Sequence, residues 1–425
     1  MVFQKSTKSA NEKWVPINIF KLQVADYTVL CYTIPMTYIS RSIEPVVREL
    51  AGAYPVITMT GPRQSGKTTL CRKIFAHKPY ANLESPQVRQ FAIEDPKGFL
   101  SQYPHGAVLD EIQRAPALVS DIQVLIDEDP RQGLFILTGS QQFEVTNRIN
   151  QSLAGRTALV KLMPFSLPEI EAGYGLPGID RLIYHGFYPR LWDQGLDPTQ
   201  ALSAYFETYV ERDLRQLALI KDLYLFQRFV QLCAGRIGQL LNLSSLANDG
   251  GISHTTAGNW LSLLEASYIL FRLPPYFPNT SKRLVKSPKL FFYDVGLAAF
   301  LLGIETKDHL KSHPLRGSLF ENLVIAEALK FRLNQGKRSN LYFYRDSKGN
   351  EVDLLLIQGA DIFPIEIKAG MTINRDYFKG LRHFVKRFPD QVPRGSGLVY
   401  AGDQAQQRTD IAVVPLKQLY DLFVR

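Results

Sequence analysis

Between residues 55 and 165 the apolar positions fall into five short runs, at 56–60, 80–83, 106–110, 134–138 and 158–162, separated by stretches of helical spacing. Runs this short, bounded by turn residues, predict buried strands. Their alternation with helices predicts an α/β fold, a parallel sheet covered on both faces. Ligands of such sheets gather at the carboxyl ends of the strands. Before the first run, Ser42 followed by Ile43, Val46, Val47 and Leu50 predicts a capped amphipathic helix. Pro45 falls in its first turn, where a missing N–H costs little. Residues 1–35 hold no sustained period. The globular part is therefore expected to open near Met36, with 1–35 either a mis-called extension upstream of the true start or a flexible arm.

The pattern changes after Pro164. Residues 166–219 have helical spacing and many tyrosines and acidic residues, which predicts a helical lid and linker. A short helix at 243–248, a turn at Gly250-Gly251-Ile252 and a second helix capped by Ser253 predict a helix-turn-helix. Ile252, Ala257, Trp260, Leu261, Leu263 and Leu264 supply the buried face. Strands at 268–273 and 289–293 would add a wing. From Leu315 a helical stretch at 317–333 precedes strands at 349–356 and 363–368, joined by a turn at Gly359-Ala360-Asp361.

The first strand runs directly into Gly61-Pro62-Arg63-Gln64-Ser65-Gly66-Lys67-Thr68-Thr69, which fits G-x-x-x-x-G-K-[ST] between a strand and a helix. Glycines let backbone N–H groups approach phosphate, and the helix N-terminus adds a positive dipole end. Lys67 would reach the β- and γ-phosphates of ATP, and the Thr68 hydroxyl would hold Mg²⁺. The third strand ends in Asp110-Glu111. Two adjacent carboxylates at that place suit a Walker B element, Asp110 as the metal's partner and Glu111 as the base for the attacking water. Asp110 as a helix cap is the plainer alternative. The fourth strand runs into Thr138-Gly139-Ser140, whose hydroxyls would sense the γ-phosphate or the water.

Composition narrows the class. A hydrophobic content of 45% with 21% charged residues belongs to a soluble globular chain, and 425 residues imply several domains. The formal charge of +9 permits an acidic partner such as DNA without demonstrating one. Cys31, Cys71 and Cys233 are widely spaced, with no disulfide or zinc pattern, and no apolar run is long enough for a membrane span. A cytoplasmic protein is the expectation.

The order GPRQSGKTTL, LDEIQ, LTGSQQF and SLAGR resembles the prokaryotic AAA-type ATPases fused to a C-terminal domain of unknown function. Gly186-Phe187-Tyr188-Pro189, the stretch 209–214 and Tyr293-Asp294-Val295-Gly296-Leu297 extend the resemblance over roughly residues 36–425. It implies an AAA+-like ATPase domain at 36–165, a lid and linker at 166–219, a winged-helix-like module at 220–293 and a nuclease-like domain at 294–425. Glu111 then corresponds to the catalytic glutamate. Arg156 of SLAGR is either a γ-phosphate sensor, for its own or a neighbour's nucleotide, or an ion pair beside the last strand. A ring or a dimer would suit the resemblance.

On the strand at 363–368, Glu366 and Lys368 share a face because the side-chain period is two, and Asp353 joins them across the hairpin. The resemblance relates this D…E-x-K set to PD-(D/E)xK nucleases. There Asp353, Glu366 and Glu321 would hold Mg²⁺, Lys368 would act on the scissile phosphate, and Arg316 and Arg345 would contact phosphate. Lys282, Arg283, Lys286 and Lys289 give the wing a basic edge for a nucleic-acid backbone, whereas 244–266 contains no Lys or Arg. Two functions are thus in view: an Mg²⁺-dependent ATPase serving a domain that acts on nucleic acid, or an ATP-gated interaction protein with a vestigial C-terminal site.

Overall fold

The computed structural model describes residues 18–24, 27–33, 38–139, 152–213, 220, 222–277 and 286–424. The chain divides into two units, residues 1–40 and 41–425. In the first, strands β1 (Asn18–Val24) and β2 (Tyr27–Thr33) form an antiparallel hairpin. No strand was expected there. Seven-residue strands rich in β-branched and aromatic residues are too short to register as a sustained period.

The second unit begins with α1 (Glu44–Ala53), whose Pro45 sits at the start where the sequence placed it. Strands β3 (Val56–Thr60), β4 (Tyr80–Asn82), β5 (Val108–Asp110), β6 (Phe135–Gly139) and β7 (Thr157–Lys161) form one parallel sheet in the order β4-β5-β6-β3-β7. All five runs are strands, within two residues at each end. The spatial order could not be read from the runs: β6 lies between the strand that feeds the phosphate loop and the one that ends in Asp110. Helices α2 (Lys67–Ile74), α3 (Pro86–Glu94), α4 (Pro96–Ser101) and α5 (Leu118–Glu128) complete the layers. A core of Leu109, Phe135, Leu137, Phe99 and Ile122 lies against one face of the sheet.

Four short helices follow: α6 (Leu167–Tyr174), α7 (Ile179–His185), α8 (Pro189–Asp193) and α9 (Pro198–Tyr205), the last continuing as π-helix through Phe206–Asp213. Next come α10 (Leu223–Gly235), α11 (Leu243–Gly250) and α12 (His254–Ala266). Ser253 caps α12 by accepting from the Thr256 N–H. Trp260 packs edge-on to Phe226 and Phe229, so the apolar face of α12 is buried against α10. Strands β8 (Leu270–Leu273) and β9 (Lys289–Phe292) pair antiparallel after it.

Two stretches that carried the family resemblance meet here. The Asp294 carboxylate accepts from the N–H groups of Phe187 and Leu297, capping α13 (Val295–Leu301). Gly186 lies so close to Gly296 that a Cβ on Gly296 would stand 2.5 Å from the Gly186 Cα. These motifs are a packing joint between the helical segment and the C-terminal half.

The C-terminal part opens with α14 (Arg316–Asn334) and a six-stranded mixed sheet in the order β10-β11-β12-β13-β15-β14. Its strands are β10 (Leu341–Arg345), β11 (Glu351–Gln358), β12 (Asp361–Lys368), β13 (Ser396–Tyr400), β14 (Gln406–Gln407) and β15 (Ile411–Pro415). Strands β10 to β12 are antiparallel, whereas β12, β13 and β15 run parallel. Helices α15 (Lys379–Arg387) and α16 (Leu419–Phe423) complete this part.

Candidate functional site

Strand β3 delivers Gly61 at φ 145°, and Gly66 at φ 92° turns the loop into α2. A side chain at Gly61 would place Cβ 2.1 Å from the Leu162 carbonyl oxygen, so only glycine fits. Lys67, 6% exposed, donates to the carbonyls of Gly61 at 3.0 Å and Pro62 at 2.8 Å. Burial lowers its pKa to about 8, against the pull of Glu111 and Asp110.

The Thr68 hydroxyl donates to Asp110, 2.9 Å from Oδ2 and 3.2 Å from Oδ1. Tyr80 donates to Asp110 Oδ2 at 2.5 Å, and Thr138 donates to Oδ1. Asp110 is thus a buried carboxylate held by three hydroxyls from α2, β4 and β6. Glu111 follows in the left-handed conformation, φ 59° and ψ 49°. Its N–H donates to Thr138 Oγ1 at 3.2 Å, and its carboxylate accepts from Gln113. A non-glycine residue in that conformation is held by its surroundings, and here the effect is to turn Glu111 away from the line of β5. The helix-cap alternative for Asp110 is set aside, since its carboxylate binds side-chain hydroxyls.

Sequence reasoning missed Arg41. This arginine, 6% exposed, donates to the Ser65 carbonyl at 2.8 Å and the Met163 carbonyl at 2.7 Å. It pairs with Glu169 at 3.2 Å and stacks on Phe165. It buttresses the phosphate loop from behind, and its distance along the chain left no local signal. Tyr80 and Gln113 were missed likewise. Tyr268, at φ 57°, shares a 2.9 Å hydrogen bond with Thr60, joining the end of β3 to the helix-turn-helix segment.

Two assignments need correction. Arg156 precedes β7, and its carbonyl accepts from Val56 at the start of β3, the opposite end of the strand from the loop. Its guanidinium pairs with Asp127 at 2.5 and 2.9 Å. Arg156 therefore does not reach the nucleotide loop of its own chain, and within the chain it forms the ion pair with Asp127 beside the last strand. The Thr138 hydroxyl orders Asp110 and Glu111 instead of standing free as a sensor. Ser140 lies outside the described residues.

In the C-terminal sheet, Asp353, Glu366 and Lys368 do come together. Lys368 Nζ is 2.6 Å from Glu366 Oε1 and 3.3 Å from Asp353 Oδ2, and the Ile367 N–H donates to Asp353 at 2.8 Å. Glu321 faces Lys289 Nζ at 2.9 Å, and the same ammonium pairs with Glu351 at 2.5 Å. Burial, reinforced by Asp353, pushes Glu366 up to about 8; burial, partly offset by Lys289, pushes Glu321 up to about 7.

Among the described residues no three carboxylate, histidine or cysteine side chains converge to hold a metal. The expected Mg²⁺ ligand set of Glu321, Asp353 and Glu366 is thus corrected: Lys368 lies between Asp353 and Glu366, and Glu321 pairs with Lys289. Lys289 is buried, so it is no part of an exposed basic wing, while Lys282 and Arg283 lie outside the described residues. Arg316 is engaged by Asp180 and the Ala369 carbonyl, and one nitrogen of the Arg345 guanidinium pairs with Glu351.

An uncharacterized protein of Mycobacterium tuberculosis is 31% identical over 321 residues, covering 75% of this chain and 71% of its own. The chain belongs to the same family. A Mycobacterium bovis protein has the same identity and coverage, and an uncharacterized Haemophilus influenzae protein is 23% identical over 65% of this chain and 68% of its own. Residues 53–171 match the family described as AAA domain. Residues 176–308 and 316–419 match two domains of unknown function, DUF8612 and DUF4143. The AAA match and the DUF4143 match agree with the ATPase-like and C-terminal parts of the resemblance.

Among solved structures, the Walker-type ATPase of Pyrococcus abyssi is similar at 16% identity and a TM-score of 0.41, covering 62% of this chain and 96% of that one. AMPPCP-bound DnaA from Aquifex aeolicus is similar at 16% identity and 0.28, covering 52% and 85%. No helix among the described residues is long and apolar enough to cross a membrane.

Proposed function

We propose that this protein binds ATP at Gly61–Thr68 and hydrolyses it with Mg²⁺. The observation that carries this reading is the convergence of Lys67, Thr68 and Asp110-Glu111 at the carboxyl ends of β3 and β5, within an AAA-domain match. Backbone N–H groups of the loop and the start of α2 suit the phosphates, and Lys67 would exchange its two carbonyl partners for phosphate oxygens. The Thr68 hydroxyl and Asp110, already 2.9 Å apart, are the donor set for Mg²⁺. That ion would offset charge on the β- and γ-phosphates. Glu111 would accept the proton of the attacking water, with Gln113 and Thr138 fixing its position.

The test is ATP turnover by the full chain. Glu111→Gln keeps shape and removes the base, so it should bind ATP as tightly as wild type while turnover falls about 10²-fold or more. Unchanged turnover would remove Glu111 from the mechanism.

What the ATPase serves divides into two readings. A nuclease-like C-terminal domain acting on nucleic acid is supported by the Asp353, Glu366 and Lys368 constellation, and the helix-turn-helix with β8–β9 suits a winged-helix module. The ATP-gated interaction protein is favoured by the ion-paired state of that constellation. Oligomerisation belongs with either, and a nuclease assay of wild type against Asp353→Ala decides between them.

A further inference from the structure

Of the three hydroxyls on Asp110, two come from the strands on either side of it. The sheet order puts β4 and β6 next to β5. Thr138 of β6 donates to Oδ1, and Tyr80 of β4 donates to Oδ2 at 2.5 Å. In the strand register Tyr80 stands opposite Val108, two residues short of Asp110. That is about 7 Å of strand, a distance its ring spans and a serine or threonine there would not. Thr68, the third donor, lies between the two oxygens, at 2.9 and 3.2 Å.

An aspartate carboxylate turns easily about its last torsion, whose energy well is broad. Thr68 spans both oxygens and so does little to choose the angle. Donors on opposite oxygens, each carried by a fixed strand, do choose it. They are also uncharged. Among the described residues no ammonium or guanidinium pairs with Asp110, and the Arg72 guanidinium rests on the Tyr80 ring, 5.0 Å from its centroid. Neutral donors favour the ionised carboxylate while leaving its charge for a cation.

We propose that Tyr80 is a positioning residue for the divalent ion of the nucleotide site. It holds Asp110 at the angle at which its carboxylate and the Thr68 hydroxyl serve one ion together. The inference rests on the ATP and Mg²⁺ reading above and adds a residue to it. Tyr80 acts through Asp110, so its loss weakens the hold on the ion and not the hold on the phosphates.

The experiment is calorimetric titration of the full chain with the non-hydrolysable ATP analogue AMPPCP, in EDTA and across a Mg²⁺ series, for wild type and Tyr80→Phe. Phenylalanine keeps the ring under Arg72 and removes only the hydroxyl. In EDTA the two proteins should bind the analogue equally. The Mg²⁺ concentration that gives half of the metal-dependent gain in affinity should rise about tenfold in Tyr80→Phe, as expected for one lost hydrogen bond to a charged group. The same Mg²⁺ dependence in both would overturn the role of Tyr80 and leave the ATP reading standing. So would an equal weakening of Tyr80→Phe with and without Mg²⁺, because the phenol would then support the loop and not the ion. A wild type that binds no analogue under any of these conditions would overturn the ATP reading, and this inference with it.

Discussion

Lys67 is an ammonium held inside the phosphate loop by two backbone carbonyls, with its pKa brought down to about 8 by burial. The sign of the pH dependence follows. The unfolded chain titrates this lysine at 10.5, so between pH 8 and 10.5 the unfolded state holds more protons. Stability from this group therefore rises with pH across that window. Nucleotide binding responds in the opposite sense, because phosphate favours the charged ammonium and binding must take up a proton above pH 8. ATP affinity should fall as pH rises past 8, approaching about tenfold per pH unit. Titration calorimetry in buffers of different ionisation enthalpy reads the proton uptake directly, and a flat affinity between pH 7 and 9.5 would contradict the shift.

At the scale of elements, the phosphate loop depends on how closely β7 passes β3. Leu162 donates its N–H to the Thr60 carbonyl at 2.8 Å, which places the Leu162 carbonyl over Gly61. Gly61→Ala puts a methyl group against backbone that cannot move without parting the two strands. It should cost about 2–4 kcal/mol in urea denaturation and lower ATP affinity at least tenfold. By contrast, a Cβ on Gly155 would meet nothing within 4 Å, so Gly155→Ala bears only the strain of its φ of 75°, about 1–2 kcal/mol, with ATP affinity unchanged.

Across the whole molecule, buried charges join the phosphate loop to the C-terminal half. Arg41 links Ser65 to Glu169, and Glu169 accepts from the N–H groups of Ser42 and Ser166. Four residues beyond Met163, which Arg41 contacts, the Leu167 N–H donates to Glu327 of α14, and Glu327 also accepts from the Tyr420 hydroxyl. Lys330 pairs with Glu327 at 2.7 Å and donates to the Phe165 carbonyl at 2.8 Å. Both Glu327 and Lys330 are essentially inaccessible. Lys330→Met would strand a buried carboxylate, at a cost of about 3–5 kcal/mol. Adding Glu327→Gln removes the charge, keeps an acceptor for Leu167, and should recover more than half of the loss. Chemical denaturation of both variants checks this, and equal loss in the two would mean that packing, not charge, dominates.

Local chemistry was legible in the sequence. A strand followed by Gly61–Thr68, a strand ending in Asp110-Glu111, and the period of two that puts Glu366 and Lys368 on one face all depend on near neighbours in the chain. The five strands could be read because each is a short buried run between turns. Their order, with β6 between β3 and β5, could not, since strand pairing is set by side chains far apart in sequence. The same limit hid the tertiary partners. Arg41 reaches Met163, Tyr268 reaches Thr60, and Arg156 turns to Asp127 instead of the nucleotide loop. Lys289, one charge in a basic stretch when read along the chain, becomes the buried partner of Glu321 and Glu351 once β9 docks. The residue types and spacing determined what chemistry each segment can do. Only the packing decided which charges are already satisfied, because a buried ion takes the nearest counter-charge in space, whatever its distance in sequence.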